Sequence, residues 1–172
     1  MHLRKRYVIA VLTLGIHAAL RAQELPRGVG AREVTLYAQL LAMTDTRRLD
    51  TVLVDRALAS SWAPMRAVAT LAIGQVGVEP GLAGASRLRG LLRDRDVTVA
   101  ANAAYALGLL RDSAAIADLA AALALDHRVA REAAWALGEI GGPAPRTALD
   151  LARGRESDDS VRAEIEAAMA RS

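Results

Sequence analysis

From about residue 31 onward, one arrangement of apolar and polar positions recurs along the chain. Residues 65–74 read Met-Arg-Ala-Val-Ala-Thr-Leu-Ala-Ile-Gly, and residues 99–108 read Val-Ala-Ala-Asn-Ala-Ala-Tyr-Ala-Leu-Gly. Residues 129–138 read Val-Ala-Arg-Glu-Ala-Ala-Trp-Ala-Leu-Gly, a weaker copy occupies 161–170, and residues 34–43 are placed in the same frame. The copies start at 34, 65, 99, 129 and 161, so their spacings are 31, 34, 30 and 32. Within a copy the apolar positions fall at 0, +4, +7 and +8, which share one side of a helix. Each copy therefore predicts an amphipathic helix, and a period near 32 predicts an array of repeats.

A second helix is expected between copies, over residues 47–59, 81–93, 113–125 and 144–154, where apolar residues such as Ile116, Leu119, Ala120 and Leu123 also recur at helical spacing. Asp94 or Asp96, Asp126, and Asp158 or Asp159 precede the copies at N-cap distance, where a carboxylate accepts from free helix N–H groups. Gly77 and Gly141-Gly142-Pro143 follow copies and are expected to stop them, while Gly74, Gly108 and Gly138 lie near the helix ends. Neither helix of a pair can bury its apolar side alone, so successive pairs must stack. The expected fold is all-α: an α-solenoid of about four helical pairs plus one N-terminal helix.

The N-terminus follows a different pattern. His2-Leu3-Arg4-Lys5-Arg6 is basic, residues 7–20 are almost wholly apolar, and small residues surround Ala22. Fourteen helical residues span about 21 Å, short of the ~30 Å hydrocarbon core. This pattern predicts a signal peptide over 1–22 cut after Ala22, a flexible segment over 23–30, and the solenoid over 31–172. An uncleaved anchor is the alternative. Cleavage implies an exported protein, periplasmic or secreted, with no stable membrane insertion afterwards. The segment removed holds Arg4, Lys5, Arg6 and Arg21, so the full chain's 22 bases fall to 18 against 19 acids. No basic surplus remains for nucleic acid. The chain is 53% hydrophobic but only 3% aromatic and has no Phe, so its core is built from Ala, Leu and Val. It has no Cys, which excludes disulfides, Cys-ligated zinc, a lipoprotein anchor and a cysteine nucleophile.

Val-Arg-x-x-Ala-x-x-Ala-Leu-Gly after an Asp-rich turn resembles the HEAT repeat, particularly the short bacterial kind also found in phycobilin lyases; residues 133–141 match the pattern most closely. The resemblance covers about residues 31–171 and implies that the second helix of each pair lines a concave face. The chain departs from the pattern where Ala100 and Ala130 replace the usual Arg, which Arg66 and Arg162 retain. HEAT-like deoxyhypusine hydroxylases carry His-Glu pairs for a di-iron site, and this sequence has none. His127, the single His beyond the signal segment, lies in a polar turn, where it reads as a solvated residue. The Gly clusters at 28–30 and 141–142 follow no strand and lack a P-loop Lys. The paired aspartates occupy equivalent turns and read as caps before they read as acid–base or calcium sites. No catalytic residue, metal or cofactor is assigned.

What remains is a surface. Positions +2, +5, +6 and +9 are expected opposite the core. Position +6 holds Leu40, Leu71, Tyr105, Trp135 and Ala167; position +2 holds Leu36, Ala67, Ala101, Arg131 and Ala163. Tyr105, Trp135, Arg131, Leu71 and Leu40 are the candidate partner-binding residues, with the two aromatics about 10 Å apart on neighbouring repeats. The rings either seat a protein or peptide partner or pack on the next repeat. The sequence thus predicts an exported, non-catalytic interaction scaffold. Two enzymatic readings stand beside it. One is a bilin-lyase-like activity. In the other, suggested by residues 40–50, the array accompanies a cyclophilin-type prolyl isomerase domain lying beyond Ser172, which falls inside the last expected helix.

Overall fold

The computed structural model describes residues 30–77 and 84–171. The expected signal peptide, most of segment 23–30, and residues 81–83 of the second intervening helix lie outside them. The chain divides into two compact units, residues 1–34 and 35–172. Among the described residues there are nine α-helices and no strand: α1 Ala31–Thr46, α2 Thr51–Leu58, α3 Ala63–Val76, α4 Gly84–Leu91, α5 Val97–Leu110, α6 Ile116–Ala122, α7 His127–Ile140, α8 Pro143–Arg153 and α9 Asp159–Arg171. Four helical pairs follow α1, and α3, α5, α7 and α9 carry the repeated motif, as the sequence predicts.

The caps explain the boundaries. Asp96 accepts from the N–H groups of Thr98 and Val99, Asp126 from that of Arg128, and Asp158 from those of Ser160 and Val161. Asp94 and Asp159 do other work, described below. The copy starting at 65 has Trp62 at the cap position with no side-chain cap, and proline in the first turn holds the backbone instead. Helices α2 and α6 are shorter than expected, whereas α8 keeps its expected eleven residues, shifted by one. Helix α2 starts at residue 51 because Asp50 caps Leu53 and Arg47 adopts a φ of 50°. Helix α6 is entered through a 3₁₀ turn, Ser113–Ala115, and ends at Ala122.

The motif helices pack side by side, α3 on α5, α5 on α7 and α7 on α9, and these are the most extensive helix contacts present. Glycine at position +9 permits this. A β-carbon on Gly74 would lie 2.7 Å from the Ala106 Cβ, one on Gly108 2.8 Å from the Ala136 Cα, and one on Gly138 2.8 Å from the Ala168 Cβ. Each +9 glycine thus meets the +7 alanine of the next copy. The 0, +4 and +8 residues (Val99, Ala103 and Leu107; Val129, Ala133 and Leu137) are fully buried with Leu88, Leu119 and Leu149 of the intervening helices. Burying each leucine is worth roughly 2 kcal/mol. The motif helices form one close-packed layer, the side that the resemblance to HEAT repeats makes the inner one, and α2, α4, α6 and α8 form the second, outer layer.

The N-terminal helix corrects the frame. Val34 is 48% exposed, while Leu40 and Met43 are buried. The buried and half-buried residues Leu36, Leu40, Met43 and Thr44 fall at 0, +4, +7 and +8, so the first frame starts at 36, two residues later than the sequence suggests. Leu40 is a core residue at +4, packed in one cluster with Val54, Ala57 and Met65. It cannot serve as a partner-binding residue.

One inter-repeat clasp is complete. Arg66 donates through Nε and Nη2 to Asp94 at 2.9 and 2.7 Å, and through Nη1 to the carbonyls of Ser60 and Ser61. Both side chains are largely buried, and the guanidinium is the main reason the Asp94 carboxyl lies below the usual carboxylate range. Asp94 also accepts the Asp96 N–H, joining clasp to cap. Where Ala100 replaces this arginine, Ala124 replaces the acid. Where Ala130 replaces it, Glu156 turns to the backbone, accepting from Ser157 and Asp158. Arg162 stays within its own repeat, bound to Asp159 and the Glu156 carbonyl.

Candidate partner-binding face

Each motif helix between two others is flanked on both sides, and this decides which positions reach solvent. Position +5 (Thr70, Ala104, Ala134) and position +9 (Gly74, Gly108, Gly138) are buried between copies. They do not belong to the open face, contrary to expectation. One helix with one core face has four outward positions, but a stacked helix has only the wedge its neighbours leave. That wedge contains +2 and +6, and with them +3 and +10.

On α3 and α5 this wedge holds Ala67, Val68, Leu71, Gln75, Ala101, Asn102, Tyr105 and Leu109, with no charged side chain. Leu71 and Tyr105 are half-buried and Leu109 is exposed. Asn102 donates to the Ala67 carbonyl at 3.2 Å, tying the two helices together across the face. On α7 and α9 the same columns hold Arg131, Glu132, Trp135, Glu139, Ala163, Glu164, Ala167 and Arg171. Arg131 is exposed and lies 3.1 Å from Glu132. Arg171 lies 2.9 Å from Glu164 and 3.8 Å from Glu139, which also meets Arg111 at 3.4 Å. Burial pushes the Glu132 carboxyl up, and nearby Glu164 adds to it against the opposing pull of Arg131. The face is neutral and apolar on one half and ion-paired on the other.

Tyr105 and Trp135 lie at the junction. Their ring centroids are 4.7 Å apart with planes at 29°, a stacked pair bridging two repeats. The expected separation near 10 Å is not found, because the two side chains lean together across the seam between the repeats. Trp135 also covers Gly108, whose added β-carbon would lie 2.5 Å from its Cζ3. The rings therefore pack on the neighbouring repeat, as the second reading expects, and both remain half-buried with part of their surface in solvent. Of the five candidates, the structure gathers Leu71, Tyr105, Trp135 and Arg131 on this face and removes Leu40. Sequence reasoning missed Asn102, Leu109 and the +3 and +10 columns. Counting the buried neighbours on both sides would have found them.

His127 is exposed, with Nδ1 3.9 Å from Asp126. No helix among the described residues is long and apolar enough to cross a membrane. Compared with known proteins, the chain finds no match among curated ones. A family model described as HEAT repeats matches residues 85–170, half the chain, spanning the last three helical pairs. With four stacked helical pairs carrying that motif, the chain belongs to the HEAT-repeat family.

Proposed function

We propose that this protein is an exported, non-catalytic scaffold that binds a peptide or protein partner on its inner face. HEAT repeats are commonly protein-interaction scaffolds and the family is generally non-catalytic. The observation that carries the finer reading is the half-exposed Tyr105–Trp135 stack, bordered by Leu71, Leu109 and a shelf of small residues. Aromatic side chains on a rigid, mostly apolar surface offer large contact area at low entropic cost, which suits interface anchors.

A photoreactive amino acid placed at position 71, 105 or 131 in the producing cell tests this. Each position should cross-link to one common partner, while position 52 on the outer layer should not. Equal labelling at position 52, or none at the three inner positions, contradicts the assignment. Export rests on the basic and apolar N-terminal pattern. N-terminal sequencing of protein from the native cell envelope should begin at Gln23; an intact Met1 in the membrane fraction would replace the signal with an anchor.

A further inference from the structure

The outer layer carries a second surface, unrelated to the inner face. A groove of about 530 Å³ opens between α6 and α8, walled mainly by Ile116, Ala120, Leu123, Ala124, Ala148 and Leu151. The outer seams before it are bridged by ion pairs, Asp55–Arg87 at 2.6 Å and Arg89–Asp112 at 2.8 Å. Among the described residues none joins α6 to α8. Leu151 is 60% exposed on one wall and stands beside a recess lined by alanines. The charged side chains lining the groove are one base and one acid, the consecutive Arg155 and Glu156. Glu156 is fixed in place: its Oε1 accepts from the N–H groups of Ser157 and Asp158 at 2.8 and 2.7 Å, and its carbonyl accepts from Arg162 at 2.6 Å.

We propose that this groove is a homodimer interface, occupied by the same groove of a second copy of this chain. A two-fold contact requires one surface to carry both a projection and a matching recess, and both signs of charge. This surface has them side by side. Leu151 of one protomer enters the alanine-lined recess of its partner, and the two-fold sets Arg155 of one against Glu156 of the other. A strongly acidic or basic partner has no counterpart in a rim whose charges cancel. A contact confined to one groove makes a weak dimer, whose population rises with protomer concentration.

Sedimentation velocity of the full chain across about 1–200 µM tests this, because a weak dimer is set by protomer concentration. The wild type should shift from monomer to dimer. Leu151→Arg should raise the dissociation constant by at least ~30-fold, as loss of a central anchor does. Ala124→Trp, at an exposed recess position, should do the same by filling the hole. Val52→Arg, at a residue 69% exposed on α2 and away from the groove, should leave the dimer intact. All three sites are solvent-facing, and circular dichroism checks that each variant folds. A wild type that stays monomeric throughout overturns the proposal and leaves the groove to a different chain. A dimer that survives both Leu151→Arg and Ala124→Trp also overturns it, since another segment then holds the copies together.

Discussion

Gly108 and Gly90 are both helical glycines, yet their surroundings are opposite. A β-carbon on Gly108 would meet Trp135 at 2.5 Å and the Ala136 backbone at 2.8 Å, whereas one on Gly90 meets nothing within 4 Å. Gly108→Ala should therefore cost about 1–3 kcal/mol through overpacking, while Gly90→Ala should gain up to about 1 kcal/mol from helix propensity. Urea unfolding of the two variants checks both signs. The Arg66–Asp94 clasp gives a pH-dependent counterpart. The folded carboxyl of Asp94 lies below its unfolded value, chiefly through the Arg66 hydrogen bond. Its stabilisation is complete above the ordinary carboxylate range and is lost as pH falls through the folded value. Asp94→Asn should cost about 3 kcal/mol at pH 7, because it strands a buried guanidinium. The gap in melting temperature between wild type and variant should narrow steadily below about pH 4; a gap independent of pH would mean the pair contributes by packing alone.

Helices were legible from sequence where apolar spacing and an Asp cap agreed, and less so where they competed. In α5 and α7 the 0, +4, +7, +8 pattern and the caps Asp96 and Asp126 point to the same boundaries. Before α2, the good helix formers Arg47, Arg48 and Leu49 suggest an earlier start, but the Asp50 cap overrides them. In α1 two frames fit the apolar residues almost equally, and only burial of Leu40 and Met43 selects the one starting at Leu36. At this scale Leu107→Asp is the decisive variant. Leu107 is fully buried at +8, so an unpaired carboxylate there should cost several kcal/mol and abolish cooperative unfolding. Asp96→Ala should cost only about 1 kcal/mol, the value of one cap. Thermal melts followed by circular dichroism separate the two; a Leu107→Asp variant that melts like wild type would mean the helix is rotated from its assigned face.

At the scale of the whole array, stacking turns a period in sequence into two layers with different chemistry. The glycine–alanine contacts hold the inner helices close and leave a narrow wedge of each in solvent. The outer helices meet less closely and leave the α6–α8 groove. On α9, Glu166 is exposed at the position where Ala104 and Ala134 are buried between neighbouring copies. The repeat architecture was readable because it is periodic. The candidate face was readable only in part, because exposure depends on neighbours some 30 residues away, and the Tyr105–Trp135 contact depends on rotamers that no spacing encodes. The most direct test of the account is to measure Tyr105→Ala twice, for affinity toward the cross-linked partner and for melting temperature. The account predicts a five- to thirty-fold weaker complex, about 1–2 kcal/mol, with melting within a few degrees of wild type. A variant that melts many degrees lower while binding unchanged would contradict it, and the aromatic stack would then be packing alone.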